Sequence, residues 1–357
     1  EAQIELNEHT EVDSSTSLDE QEFNFDNIQK YKLKNTDFEV NSGVLTATDR
    51  YTTYSGKMKT TNEDVTIMYL NEDTNTEEKF RRFVSVLTAL QHPNLESFVG
   101  AVESPLPYIV VTRRAGEKLS DILKRANKSK SQKKSVKKSN EENAEADYID
   151  DGHVRLKEGY KTIIAFNIAT AMAYLHSNNI IHRDLCSANV TVDKTLNPRV
   201  INFANSRFLP EDASVMSYQP NSSAKFRAPE ITDTEDYDES IDVFAFSGLL
   251  YELMTGSPPF GERIKMAALE EKIKNAERPL LPENVSPDMK QLIESCWAQD
   301  PKSRPSFTDV IDLMLSKKIT FPEDEKSDTV EDFYASKSIK NTDMNACLEL
   351  FKMIAQD

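Results

Sequence analysis

"HRDLCSANV", residues 182–190, gathers His182, Arg183, Asp184 and Asn189 into one short stretch, and "INFANSRF" (201–208) follows closely behind it. Working outward, "YKTIIAFNIATAMAYLH" (160–176) and "DVFAFSGLLYELMTG" (242–256) read as two buried helices, the second ending in a C-terminal glycine. Further upstream, "DFEV" (37–40) and "DVTIMYL" (64–70) are β-rich runs separated by turn residues, and "YIVV" (108–111) reads as a buried strand. "FRRFVSVLTAL" (80–90) sets Phe80, Phe83, Val84, Leu87 and Leu90 on one helical face. Strands first and helices afterwards predict an α+β arrangement in two lobes.

The chain has 357 residues, enough for one large two-lobed domain, and 38% of them are apolar, which supports a real core. A net charge of −17 argues against nucleic acid and anionic membrane as partners. Three cysteines, Cys186, Cys296 and Cys347, lack metal or disulfide spacing and point to a reducing, cytoplasmic setting. No apolar run reaches transmembrane length. An opening at Glu1 rather than methionine reads as a fragment or processed form, so a missing targeting signal says little.

Residues 1–36 read as an acidic arm, with nine carboxylates and no lysine or arginine before position 27. "NKSKSQKKSVKKSNEENAEADYIDDG" (127–152) is a lysine-serine block followed by an acidic one, and reads as a disordered insertion. Its basic half is either a solvated loop or a docking or localisation signal. In the tail, 317–357, "PEDEKSDTVEDFY" reads as a charged linker before a short helix at 345–356.

"LQHPNLESFVGA", "NIIHRDL", "FRAPE", "DVFAFSGLLYELMTGSPPF" and "CWAQDPKSRPSF" occur in this order. The ordered series resembles the eukaryotic protein kinases, tyrosine-kinase-like group, over roughly 37–316. The resemblance implies a small, mainly-β N-lobe with one helix (37–114), a larger, mainly-α C-lobe (115–316), and a nucleotide cleft between them. Phosphoryl transfer then needs a phosphate cradle, a lysine held by a glutamate, metal ligands and a base.

Several parts depart from the family pattern. The glycine-loop positions map to Thr46, Thr48 and Tyr51, and none lets backbone N–H groups approach phosphate as glycine does. The lysine position is Met68 and its glutamate partner is Phe83, two apolar residues able to touch each other. Asn202-Phe203-Ala204 stands where Asp-Phe-Gly belongs, so the metal site lacks its carboxylate. Thr53, Thr66 and Thr191 map to the adenine walls, Val111 to the gatekeeper, and Thr112, Arg113 and Arg114 to the hinge. Cys186 replaces a basic residue of the catalytic loop, while Asp184 keeps the base position and Asn189 a metal-ligand position.

The scaffold parts match the family: His182, Phe203 and Leu87 for the column joining the lobes, Asp242 for anchoring the loop, and Glu230 with Arg304 for the large-lobe ion pair. Arg183 could clasp a phosphate placed on the 202–230 segment, at Ser222 or Ser223 for example, although hydroxyls are common in exposed loops. Each lost charge-assisted contact costs roughly 1.5–3 kcal/mol, about tenfold to a hundredfold in rate. The sequence therefore predicts a pseudokinase: a protein-binding scaffold or allosteric regulator whose partner is another protein, such as an active kinase. Asp184 and Asn189 would be vestigial, no metal would be held, and ATP would bind without Mg²⁺ if at all. The alternatives are an active protein serine/threonine kinase using Asp184, with Lys57 or Lys59 as a relocated lysine, and a metal-independent ATP-binding switch.

Overall fold

A computed structural model of the chain describes residues 30–73, 76–114, 116–135, 149–150, 153–208, 224–233 and 237–338. Ser222, Ser223, the first 29 residues, the middle of the insertion and the 345–356 helix lie outside them.

A β-lobe comes first. Strands β1 (Phe38–Ala47), β2 (Tyr51–Met58), β3 (Asp64–Leu70), β4 (Phe98–Val102) and β5 (Ile109–Arg113) form one antiparallel sheet of order β1-β2-β3-β5-β4. Helix α1 (Glu77–Ala89) covers one face, started by Thr76, whose hydroxyl accepts from the Lys79 amide. Its buried stripe includes Phe80, Phe83, Val84 and Leu87, the face expected from the periodicity. The opposite face of the sheet buries Val65, Ile67, Ile109 and Val111 under Phe38 and Met58.

The second lobe is helical, with small sheets at its border. β6 (Glu117–Lys118) leads into α2 (Leu119–Ser135); β7 (Ile149–Asp150) and β8 (His153–Val154) pair; α3 (Tyr160–Ser177) and β9 (Ile180–Ile181) follow. β10 (Val190–Val192) pairs with β11 (Pro198–Val200) and with β6, and β12 (Arg207–Phe208) pairs with β9. The remaining helices are α4 (Glu230–Asp233), α5 (Ser240–Thr255), α6 (Met266–Lys274), α7 (Pro287–Cys296), α8 (Phe307–Lys317) and α9 (Asp328–Ser338). α3 and α5 are apolar on nearly all sides and sit at the centre of the core, their Leu175 and Phe246 sharing one buried cluster with Ile293 of α7 and Phe307 of α8. A β-sheet lobe thus precedes a larger helical lobe, the two-lobed arrangement expected from the sequence.

Three boundaries differ from the sequence reading. Residues 30–34 are not all solvated arm: Leu33 N–H bonds the Ala101 carbonyl at 2.8 Å and Tyr31 packs on Phe98 at 5.2 Å. Gly100 permits this, since a Cβ there would stand 2.5 Å from the Tyr31 carbonyl oxygen. The insertion is also not wholly irregular. α2 runs into it as far as Ser135, and the Asn127 amide bonds the Gly256 carbonyl at 2.5 Å. Third, the segment read as a charged linker contains α9, which buries Val330 and Tyr334 against the core helices.

Asp324 explains why that last segment docks. It is 1% exposed, and its carboxylate accepts from the Gly159 and Thr162 amides at 2.6 and 2.8 Å and from the Thr162 hydroxyl at 2.8 Å. A residue 165 positions away thus caps α3, a contact no local pattern announces. Asp324→Ala is expected to destabilise the protein by about 2 kcal/mol, read as a lower midpoint in urea with an unchanged slope.

Candidate active site

The stretch 182–190 is held from below by Asp242, at the first turn of α5. Its carboxylate accepts from the His182 and Arg183 amides at 2.8 and 2.9 Å and meets His176 Nε2 at 3.1 Å. Burial alone would raise the Asp242 carboxyl, but the His176 contact and the His182 amide overcome it and hold it below the usual range. His182 is fully buried; its Nδ1 accepts from the Asp184 amide at 3.2 Å, so Nε2–H donates to the Ile201 carbonyl at 3.1 Å. Its ring meets Phe203 edge-on at 5.1 Å, and Leu87 and Phe203 share one buried cluster. Farther out, Arg304 forks onto Glu230 at 2.6 and 2.9 Å, with no side-chain exposure of its own.

Asp184 stands at the floor of a cleft of about 940 Å³ between the lobes. The Asn189 amide fixes its backbone carbonyl at 2.7 Å, and Asn205 and Asn202 approach its Oδ2 at 3.4 and 3.5 Å. Asn202 adopts φ +71°, the left-handed region that asparagine tolerates better than most residues, and donates to Asn189 Oδ1 at 3.0 Å. Asp184 Oδ1 and Asn202 Oδ1 are buried without a hydrogen-bond partner among the described residues. Both are acceptors, so a hydrogen-bond donor or a cation would satisfy them. With one carboxylate and two amides, however, the donor set is weak for a hard cation.

Thr53, Thr66, Thr191 and Met68 line the same cleft, as do Arg113 and Arg114. Met68 and Phe83 lie in one buried cluster, so apolar packing takes the place of an ion pair. Thr53 and Thr191 direct their hydroxyls to the carbonyls of Thr46 and Arg199 at 3.5 and 3.4 Å. The gatekeeper assignment needs correction. Val111 pairs with Ile67 and faces the outer cluster, away from the cleft, whereas Thr112 pairs with Thr66, on the cleft side. A one-residue slip in reading a strand exchanges its faces.

Lys57 and Lys59 do not line the cleft; Lys57 pairs with Asp64 at 3.9 Å on the surface. Cys186 is buried, and burial together with Asp184 pushes its thiol well up, so it is inert. The hairpin tip carries no cradle. Thr48 Oγ1 accepts from the Arg50 and Tyr51 amides at 3.2 and 3.1 Å, consuming the N–H groups a phosphate would need. The Tyr51 ring enters the cleft instead, its hydroxyl against the Asn202 side chain; burial and Asp184 push the phenol up.

Sequence reasoning missed Glu96. It is 6% exposed, accepts from the Thr112 hydroxyl at 2.8 Å and the Asn202 amide at 2.9 Å, and so ties the gatekeeper strand to the 202 turn. The available signal was a carboxylate in a run from Leu95 to Ala101 that is uncharged apart from it. Burial raises its carboxyl, partly offset by the Asn202 and Thr112 hydrogen bonds. A folded-state value above the unfolded one means the native state binds the proton more tightly. Glu96 therefore favours folding most below the ordinary glutamate range, and that contribution is lost as pH rises through the folded value. Glu96→Gln is expected to raise stability at pH 8 by about 1 kcal/mol and to flatten the fall in Tm above pH 5, followed by thermal melts across pH.

Residues 39–314 match the model of the protein tyrosine and serine/threonine kinase family. The chain belongs to that family. Among similar kinases, a probable serine/threonine-protein kinase of Dictyostelium discoideum is 31% identical over 71% of this chain and 18% of its own length. The dual specificity protein kinase pyk3 of the same organism is 30% identical over 70% of this chain and 16% of its length. The serine/threonine-protein kinase CTR1 of Arabidopsis thaliana, a tyrosine-kinase-like relative, is 31% identical over 70% of this chain and 28% of its length. The chain thus spans under a third of each of these three relatives.

Those names overturn the expectation of a binding scaffold without phosphoryl transfer, because kinases this similar are named for serine/threonine or dual-specificity activity. That expectation weighed the changes at 68, 83 and 202 as chemistry lost and the catalytic loop as scaffold alone. No helix among the described residues is long and apolar enough to cross a membrane.

Proposed function

We propose that the chain is an ATP-dependent protein kinase acting on serine or threonine hydroxyls, with Asp184 as the general base. The observation that carries this reading is the Asp184 carboxylate at the cleft lining, with one oxygen steadied by Asn205 and Asn202 and the other buried without a partner among the described residues. A hydroxyl placed there would give its proton to Asp184 as its oxygen bonds to the γ-phosphorus of ATP. The bond to the β-phosphate oxygen breaks, and ADP leaves with the electron pair.

Asn189 and Asn202 would hold a divalent cation, which supplies charge neutralisation on the phosphates. Two amides grip Mg²⁺ weakly, so nucleotide binding is proposed to depend little on the metal. Thr53, Thr66 and Thr191 would border the base, and the hinge backbone at 112–114 would orient it. The partner is the protein substrate; at net charge −17, nucleic acid and anionic membranes are poor candidates. The buried free thiols of Cys186 and Cys296 agree with a cytoplasmic setting. The test is transfer of label from γ-labelled ATP to peptides bearing serine, threonine or tyrosine. Label on serine or threonine is expected; label on none of them would refute the proposal.

A further inference from the structure

The cleft has no lysine on β3, where Met68 stands, and no basic residue at 186, where Cys186 stands, so something else must meet the charge of a triphosphate. Five Lys and Arg side chains line it, and three of them are tied to neighbours: Arg113 pairs with Glu63, Lys118 bonds the Thr46 hydroxyl at 2.8 Å, and Arg125 pairs with Glu117. Arg114 follows β5, and Lys194 sits in the turn between β10 and β11.

Arg50 is placed differently. It occupies the β1–β2 turn closed by Thr48, and its guanidinium Nη1 lies 2.5 Å from Asn205 Oδ1. The same Asn205 side chain turns its Nδ2 to Asp184 Oδ2 at 3.4 Å, and the Asn205 carbonyl accepts from Arg183 Nη1 at 3.2 Å. One amide therefore separates the Arg50 guanidinium from the base. The neighbouring Tyr51 reaches Asn202, which approaches the same Asp184 oxygen, so the hairpin tip meets both asparagines beside the base.

We propose that Arg50 binds the terminal phosphates of a nucleoside triphosphate, supplying from the hairpin tip the positive charge that β3 lacks. The inference rests on the kinase reading of this site and adds a residue to it. The guanidinium presents a fork of donors matched to phosphate oxygens, and an anionic oxygen is a stronger acceptor than the neutral Asn205 amide it would displace. Arg50 stays charged throughout. The γ-phosphoryl group passes from ATP to the substrate hydroxyl, ADP takes the bonding pair, and the hydroxyl proton goes to Asp184. The role of Arg50 is to offset charge on the phosphate oxygens as they move.

Calorimetric titration of the full chain with ATP and with adenosine tests this, using wild type, Arg50→Ala and Arg50→Lys. Arg50→Ala is expected to weaken ATP binding about tenfold with adenosine unchanged, and Arg50→Lys to recover part of the loss. Equal ATP affinity in wild type and Arg50→Ala overturns the assignment, as does a wild type that binds ATP no better than adenosine. Phosphate transfer is followed in parallel, with Asp184→Asn as the control. An Arg50-dependent ATP affinity without any transfer sinks the kinase reading and leaves the Arg50 site standing. Transfer with an Arg50-independent affinity does the reverse.

Discussion

Asp184→Asn is expected to lower phosphate transfer by about 100- to 10,000-fold, the range for removing a positioned general base, while ATP affinity and thermal stability stay close to wild type. Asparagine has nearly the same shape and can still present an oxygen to the Nδ2 groups of Asn205 and Asn202, so the loop keeps its hydrogen bonds. What it cannot do is accept the substrate proton. Steady-state rates with a peptide acceptor, beside melts of the same samples, separate the two effects. A variant that keeps its rate would mean that Asp184 only shapes the loop.

Asp242→Ala is expected to act through the fold. It would leave the buried His182 and Arg183 amides without acceptors and free His176 from its partner. At about 1–3 kcal/mol for each orphaned group, and allowing for partial relaxation, the loss is about 3–5 kcal/mol. That corresponds to a fall of roughly 10 °C in Tm for a domain of this size. The wild-type carboxyl sits below its ordinary range, so its contribution is present above the unfolded value and fades as pH falls through the folded one. Melts from pH 7 downward should therefore narrow the gap between wild type and variant at the acid end. A constant gap over the whole range would show that charge at Asp242 is not what holds the loop.

The parts of the fold that could be read in advance are those whose information is local. The stretches at 182–190, 226–230, 242–260 and 296–307 each carry their partners within a few residues or at fixed separations. The Asp242, Glu230 and Arg304 contacts then follow from their places in the fold. Long-range pairings were not legible. Asp324 caps a helix from 165 residues away, Tyr31 and Leu33 lie along β4 because Gly100 leaves room, and α9 docks an otherwise charged segment through Val330, Phe333 and Tyr334. Val111 was placed on the wrong face because β5 is apolar on both sides, so alternation gave no register.

The site was half legible for a related reason. Substitution at 68, 83 and 202 shows what is missing, but not what a neighbouring element brings in. Glu96, Tyr51 and Arg50 reach Asn202 and Asn205, beside the catalytic loop, only once the sheet is folded over them. Counting departures from a pattern therefore left these neighbours out of account, and the inferred scaffold gave way to the names of the kinase relatives.

The most direct measurement is intact-mass spectrometry of a protein acceptor after incubation with ATP and either the wild-type chain or Asp184→Asn. The account predicts phosphate-mass additions with the wild type and none above background with the variant. An acceptor left unmodified by both, or modified equally by both, would contradict it.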